Sequence, residues 1–500
     1  MKKQTKKLIG AMVSLLSLTA GLSSCSGDNG STTNSDSKSV SIDFWHTFGA
    51  GTVEESFKTK IKQFKELIKT NEGVDVEINA EYNGSYDDIK KKVSNGLATG
   101  DFPTLTVAYP DHVAYYLSQE GTDGQYVVNL NKFFNDEKIG FKKQAYLGDE
   151  YGADDFIESF IQEGQSYAKE GTYSLPYMKS TEVMFYNVDL LQFIMPLYNP
   201  EVGDSEVAIK EYMDNLTWEE LVELCTFIDE KVKSSPRDFA SDFECPLVYD
   251  SDANFIITQM YQQKINFSSV GADGKGSIDF DTNHQEDYNK TVNLIKELKV
   301  NRDNNMFSTK GLLNKYGSDY FKNERCVFTI GSSGGSGYNF PESSSFKLGI
   351  TKVPARNNNP LYVSQGITLC MLNNNKYSAE ENALKQEYAW KLLKFLTNGQ
   401  TNCQLCLNGS EGYMPVRYSA YETSDYNTFI REGENYAKTL KVVREQVGNK
   451  FFVSATFPAS SFLRDEMGAM FTAVLAEKNC DESFIKSQLD RAISNTKLKM

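Results

Sequence analysis

Histidine is nearly missing from this sequence: His46, His112 and His284 are the only three among 500 residues. They form no cluster, and motifs for enzyme chemistry are correspondingly scarce. There is no phosphate-binding loop of the nucleotide type. Carboxylates are plentiful, but nothing in their linear order sets two of them against a common substrate. Gly331-Ser332-Ser333-Gly334-Gly335 fits the G-x-S-x-G pattern. The glycine-serine run continues to Gly337 with no apolar helix start behind it, so the context of a nucleophile elbow is absent. Asp273, Lys275, Ser277 and Asp279 follow a calcium loop only in outline. A lysine stands at a ligand position, and His284 stands where the closing glutamate belongs. Neither a metal, nor an organic cofactor, nor catalysis is expected.

Positive charge is also in short supply. The formal net charge is -15, and leaving out residues 1–24, with their four lysines and no acid, takes it to -19. That argues against nucleic acid and anionic headgroups as partners. After the first two dozen residues no segment is long and apolar enough to cross a membrane as a helix. There is no internal repeat. Seven cysteines follow Cys25, namely Cys225, Cys245, Cys326, Cys370, Cys403, Cys406 and Cys480. An odd number cannot all pair within one chain. Cys403 and Cys406 have redox or metal spacing, but without a second pair they read as two half-buried thiols.

What is there begins at the N-terminus. Lys2, Lys3, Lys6 and Lys7 precede a mostly apolar run from Leu8 to Leu18, which is too short for a spanning helix. Leu22-Ser23-Ser24-Cys25 then resembles the lipobox of bacterial lipoproteins, in which the cysteine is acylated and begins the mature chain. The resemblance makes residues 1–24 a signal peptide. The run to Ser39 has no aromatic and no large aliphatic residue, so it cannot bury enough surface to fold. It reads as a tether with a reach of roughly 20 Å. The body is expected at the cell membrane, on its extracytoplasmic face.

The body reads as α/β. Val40, Ile42 and Phe44 alternate as in a half-buried strand. Phe57, Ile61, Phe64 and Ile68 recur at helical spacing, and Val74, Val76 and Ile78 alternate again. Strand, helix and strand over some forty residues make a βαβ unit and imply a parallel sheet covered by helices. "PTLTVAY" (103–109), "CVFTIGS" and "FKLGITKVP" supply more strands. Thr217 and Glu220 have capping-box spacing ahead of a helix, and Leu384, Tyr388, Leu392 and Phe395 form another helical stripe.

Three stretches together resemble the family 1 extracellular solute-binding proteins of ABC transporters. They are "GTYSLPYMKSTEVMFYNVDLL" (171–191), "YFKNERCVFTIGSSGG" (320–335) and "EGYMPVR" (411–417), with "TWEELVEL" at a fitting distance after the first. "FWHTF", "EYNGSYDDI" and "LATGDFP" look most like the glycerol-3-phosphate-binding subgroup. The resemblance covers essentially the whole chain after Ser39. It implies a two-lobe periplasmic-binding-protein-like fold of type II, with the ligand in a cleft between lobes joined by crossing strands. The first crossing would lie near Met178 to Thr181. Residues 40–179 plus 368–414 would form one lobe, and 180–367 plus 415–500 the other.

The resemblance also carries site residues. Tyr86, Ser180, Ser332, Gly366 and Tyr413 match ligand contacts of the subgroup. The residue types suit a polyhydroxyl ligand: tyrosine stacks on a sugar face, serine donates or accepts without bulk, and glycine admits close backbone. The glycine-serine run suits a nest of inward N–H groups. Trp45 points away from the face that buries Ile42 and Phe44, toward the cleft or a helix layer. Two departures concern charge. The subgroup's phosphate-binding arginine falls at Ser461, with Arg464 one helical turn later. A subgroup glutamate falls near Pro110, with Asp111 beside it. A buried phosphate without a paired cation is costly, so a neutral sugar or oligosaccharide fits better than glycerol-3-phosphate. The expected protein is a monomeric, lipid-anchored, non-enzymatic receptor that hands a carbohydrate-type solute to the transmembrane subunits of an ABC permease. A surface-anchored glycoside hydrolase or an adhesin is the alternative.

Overall fold

Along β1 (Ser39–His46), Val40, Ile42 and Phe44 are buried while Ser41 and Asp43 stay half-exposed, so one face of the pleat lies on the core. Helix α1 (Thr52–Glu72) buries Phe57, Ile61, Phe64 and Ile68 as one stripe. Each is worth about 1.5–3 kcal/mol of apolar transfer. The helix stops at Gly73, where a φ of 71° is left-handed and the N–H donates to the Lys69 carbonyl. β2 (Asp75–Tyr82) then pairs parallel with β1, completing the βαβ unit. Ser39, read from the sequence as the end of the tether, already pairs with Asp75.

This computed structural model describes residues 39–119, 126–271, 275–342, 345–408, 412–448 and 450–500. Residues 1–24, expected to be a signal peptide, Cys25 and the rest of the expected tether, and Asp273 of the outline calcium loop, lie outside the described residues.

The remaining strands are β3 (Leu105–Ala108), β4 (Leu175–Ser180), β5 (Glu182–Asn187), β6 (Leu247–Tyr249), β7 (Ser268–Val270) and β8 (Gly276–Ile278). After these come β9 (Phe307–Thr309), β10 (Phe328–Ser332), β11 (Leu348–Lys352), β12 (Tyr362–Val363), β13 (Gln365–Met371) and β14 (Phe451–Phe452). They build two five-stranded sheets, ordered β2-β1-β3-β13-β4 and β11-β5-β10-β6-β9, and two small pairs. In the first sheet β1 is parallel to β2 and β3, and β13 is antiparallel to β3 and β4. In the second, β5 is antiparallel to β10 and β11, while β10, β6 and β9 are parallel. Each sheet thus has one strand running against the rest, and helices cover both. This is the two-lobe α/β architecture that the sequence implied.

The topology decides where chemistry gathers. The C-terminal ends of β1 to β4 and the start of β13 share one edge of the first sheet. The ends of β6 and β10 and the start of β5 share one edge of the second. Only Thr181 separates β4 from β5, so the two edges meet there.

Local signals hold where they are self-contained. The Thr217 side chain accepts from the Glu220 N–H at 3.2 Å, and the Glu220 carboxylate accepts from the Thr217 N–H at 2.8 Å, starting the helix Trp218–Ser234. In the helix Ala379–Thr397, Tyr388, Leu392 and Phe395 are buried but Leu384 is exposed. Polar side chains cover that end of the helix instead, with the Lys385 ammonium donating to the Ser41 carbonyl at 2.7 Å. Cys403 and Cys406 are fully buried rather than half-buried. Burial pushes the Cys403 thiol up to about 11, far from a redox-poised thiolate.

Gly366 sits in β13 opposite Lys179 with a φ of 105°, and a Cβ there would lie 2.2 Å from the Met178 carbonyl oxygen. Its need for glycine therefore comes from the β4 backbone. Gly366→Ala is expected to destabilise the chain by about 2–4 kcal/mol through left-handed strain and the clash. Thermal unfolding at neutral pH checks this, and an unchanged Tm would contradict it.

Candidate ligand-binding cleft

Three loops leave the first sheet at its shared edge. Past β2, Gly84 has a φ of 89° and Ser85 forms a reciprocal capping box with Asp88, at 3.2 and 2.9 Å. That box starts α2 (Tyr86–Gly96) and makes Tyr86 its first helical residue. Past β3, Tyr109 precedes Pro110, which opens α3 (Pro110–Ser118). The Tyr86 and Tyr109 rings meet with centroids 4.5 Å apart and planes at 42°. Past β1, residues 47–53 run into the start of α1, and the Thr47 side chain hydrogen-bonds the Tyr86 hydroxyl. A cavity of about 330 Å³ opens here, lined by residues 47–53 with Tyr86, Met178, Ile367 and Tyr413. It falls at the lower end of the size usual for small-molecule sites.

Burial raises the Tyr86 phenol above its ordinary pKa, against the Thr47 hydrogen bond. Burial also raises Tyr109, with further upward pushes from Tyr86, Tyr413 and Asp111 and an opposing one from Arg464. Tyr109 is therefore the point around which those four groups are gathered. His46, stacked on Phe48 with centroids 5.1 Å apart, accepts the Phe48 N–H at 3.1 Å and is lowered to about 4 by burial. It is a neutral support for the 47–53 loop.

The crossing supplies the second wall. The Ser332 hydroxyl stands 3.5 Å from that of Ser180. The Ser333 N–H donates to the Thr181 carbonyl at 2.7 Å, and the Thr181 N–H donates to the Ser333 hydroxyl at 3.2 Å. A Cβ on Gly334 would lie 3.3 Å from the Tyr413 ring and 3.5 Å from the Ser180 Cβ. Gly412, with a φ of 89°, lays the turn carrying Tyr413 against the Ser333 carbonyl. The glycine-serine run is a 3₁₀ helix over Ser333–Asn339, not an open nest. Its Ser333 and Gly334 N–H groups are already taken by Thr181 and by the Ser332 hydroxyl.

Charge is distributed across both walls. On the first, the Asp111 Oδ2 is buried and accepts no hydrogen bond, with Lys90 at 3.9 Å and His112 at 3.8 Å. Burial lowers His112, against the pull of Asp111. On the second, the Arg464 guanidinium donates to the Asn254 side-chain oxygen at 2.7 Å. Asp465 beside it is raised by burial, and by Asp111 and Asp87 once the favourable Arg464 is set aside. Among the described residues no group of three or more His, Cys, Asp or Glu is placed to hold a metal ion.

Of the residues named from sequence, Tyr86 and Tyr413 line this hollow; Ser180 and Ser332 stand beside Tyr413 around Gly334 and are not part of its lining. Asp111 and Arg464 border Tyr109 from opposite walls. Gly366 is adjacent through Ile367, but its conformation is dictated by β4. Trp45 is half-buried in β1, two residues before the lining begins, and does not line the cavity. Sequence reasoning missed the 47–53 loop, Tyr109 and Glu182. The first two lie just past the C-terminal ends of parallel strands, which is the available signal for such sites. A larger cavity of about 390 Å³, lined by Tyr151, Tyr418 and Arg444 among others, contains none of the expected residues.

A family model described as bacterial extracellular solute-binding protein matches residues 61–430. No curated protein matches the sequence. Among solved structures, the GacH receptor of Streptomyces glaucescens, studied unliganded and with acarbose, is 16% identical with a TM-score of 0.59, covering 92% of this chain and 98% of that one. UgpB from Mycobacterium tuberculosis, in complex with glycerophosphocholine, is 15% identical with a TM-score of 0.60, covering 91% and 97%. Maltose-bound MalE3 of T. maritima is 16% identical with a TM-score of 0.57, covering 91% and 100%. At these identities the likeness is one of fold.

Glu182 yields a test of the site's electrostatics. Burial raises its carboxyl to about 7, only partly offset by Tyr249, Asn254 and Arg464. The folded chain therefore holds this proton at pH values where the unfolded chain has released it. Stability from this group falls as pH rises from the ordinary carboxylate range, and the full cost is present above 7. Glu182→Gln should gain stability over the wild type by on the order of 2–3 kcal/mol as pH rises from about 5 to about 8. Denaturant unfolding at both ends reads it, and a difference that does not change with pH would contradict it.

Proposed function

The chain belongs to the bacterial extracellular solute-binding proteins, and from that premise we propose that it is a lipid-anchored receptor capturing a carbohydrate-type solute for an ABC permease. Family membership makes it an extracytoplasmic binding protein. The carbohydrate reading rests on one observation above others: Tyr86, Tyr109 and Tyr413 gather with the Ser180 and Ser332 hydroxyls where the two sheets meet. Phenol rings cover the apolar face of a sugar, and hydroxyls and carboxylates meet its rim. The acarbose, glycerophosphocholine and maltose complexes of similarly folded proteins are consistent with such a ligand.

In this reading residues 40–179 with 368–414 form one lobe, and 180–367 with 415–500 the other. The lobes close on the solute by a hinge motion at the crossing strands, and ligand contacts from both walls stabilise the closed state. Cys25 carries the lipid, residues 26–38 the tether, and the closed monomer presents itself to the permease subunits. No bond is made or broken in the solute, and no cofactor is used. The acidic Asp111 and the serine at position 461 favour hydroxyls over a phosphate.

A thermal-shift screen of mono- and oligosaccharides, polyols and polyol phosphates tests the reading. A ligand at 100 times its Kd adds roughly 2.7 kcal/mol of stability, which a melting curve resolves. Tyr86→Ala and Tyr413→Ala should each weaken the bound sugar about tenfold to a hundredfold while leaving the unliganded Tm within a few degrees. The sugar should be recovered intact after prolonged incubation. Released products would favour the hydrolase, and no stabilising sugar would sink the reading. Separately, Cys25→Ser should release the chain from membranes into the soluble fraction, and retention would refute the anchor.

A further inference from the structure

Glu182 opens β5 one residue past the Thr181 crossing and stands opposite Ser332 in the β5–β10 register. Its side chain is buried, so it does not itself reach the solute. Its two oxygens are committed: one accepts from the Tyr249 hydroxyl at 2.6 Å, the other from the Asn254 Nδ2 at 2.7 Å. Asn254 is held in turn, its N–H donating to the Ser251 hydroxyl at 3.2 Å where the helix Asp252–Gln262 begins. Its Oδ1 accepts from the Arg464 Nη2 at 2.7 Å. With a carboxylate on one side and a guanidinium on the other, only one orientation of the Asn254 amide makes both bonds. The chain of groups is anion, amide dipole, cation. It ends at a guanidinium that is 45% exposed, stands 3.8 Å from the exposed Asp465 carboxylate, which Glu182→Gln leaves in place, and lies within electrostatic reach of Tyr109 on the opposite wall.

We propose that Glu182 is a positioning and charge-compensating residue of the cleft: through Asn254 it presents Arg464 as a hydrogen-bond donor to an uncharged, hydroxyl-bearing solute and denies the cleft a free cation for an anionic one. The proposal rests on reading this hollow as the solute site and names the charge class of its ligand. A guanidinium still donates hydrogen bonds to hydroxyls when its charge is balanced nearby. A doubly charged ligand group would have to give up water without a net counter-charge, which is strongly unfavourable.

The compensation depends on the ionised form of Glu182. The charged or titratable groups facing it are Arg464, Tyr249 and Asp250. The Gln446 side chain, from the helix Asn435–Gln446, meets only its backbone carbonyl and is neutral. Asp250 is itself raised to about 6 by burial, with the Gly317 N–H, Lys310 and Asp319 around it. It titrates in a neighbouring window, so a variant is needed to separate the two.

Inorganic sulfate is a suitable probe, because its charge does not change over the range used. Titration calorimetry of the full mature chain with sulfate at about pH 8 should find Glu182→Gln binding about tenfold tighter than wild type, the equivalent of one pKa unit. The Gln side chain keeps both hydrogen bonds, its oxygen facing Asn254 and its amide facing the Tyr249 oxygen. Wild type should gain a similar factor when moved from about pH 8 to about pH 6, and Glu182→Gln should gain less than about twofold. Equal affinities at the higher pH, or a pH gain that persists in Glu182→Gln, would overturn the proposal. Should that variant fold poorly, wild type and Arg464→Ala decide alone: the gain on acidification should vanish with Arg464, and its survival overturns the idea. Sulfate binding does not depend on the sugar screen. A failed screen removes the carbohydrate reading, whereas a failed sulfate series removes only the role of Glu182.

Discussion

The structure turns on one residue, Thr181, which is all that separates a strand of one sheet from a strand of the other. It is buried, and three hydrogen bonds hold it: its N–H and carbonyl pair with Ser333, and its hydroxyl donates to the Val363 carbonyl at 2.9 Å. A strand changes sheets here without a loop, so Ser180 and Glu182 are committed to different sheets by chain connectivity alone. The neighbouring bonds stiffen the passage. Lys179 pairs with Met414 through both backbone groups, and its ammonium is buried against Glu163. An unpaired charge at that depth would be prohibitive, so Glu163 and Lys179 hold each other and the strand in place.

From that constraint the composition of the cleft follows. Strand ends at a sheet edge leave loops free to vary, and the loops here are shaped by short-range devices: the Ser85 capping box, Pro110 at the start of α3, and Gly412 in a left-handed turn. Each device orients one phenol. The rings then pack on each other, Tyr86 on Tyr109, and their burial keeps the phenols neutral.

Legibility from sequence divides along the same line. Self-contained signals were readable: the β1–α1–β2 alternation, the Thr217 capping box, and the α/β class. Tyr86, Ser180, Ser332 and Tyr413 were singled out because each sits in a stretch resembling a known family, and the fold brings Ser180, Ser332 and Tyr413 side by side and sets Tyr86 and Tyr413 on one cavity. The relay through Asn254 was not readable, since Glu182, Tyr249, Asn254 and Arg464 lie on four separate elements and meet only after folding. Nor was the fate of the glycine-serine run, whose Ser333 N–H donates to the carbonyl of Thr181, a residue some 150 positions away. Leu384 shows the converse: helical spacing marks a face, but tertiary contacts decide which turns of that face are covered.

Closure, on the proposed reading, must draw its energy from contacts present in one state and absent in the other. The crossing contributes little difference, because Thr181 is saturated with partners. The groups around Tyr109 are better placed. Tyr86 and Asp111 approach it from the first wall, Tyr413 from beside the crossing, and Arg464 from the second wall. A solute bringing an apolar face and several hydroxyls would cover the rings and meet Asp111 and Arg464 at once. Such a ligand would add contacts between the walls to those already made by Tyr413 with Gly334 and by Ser180 with Ser332.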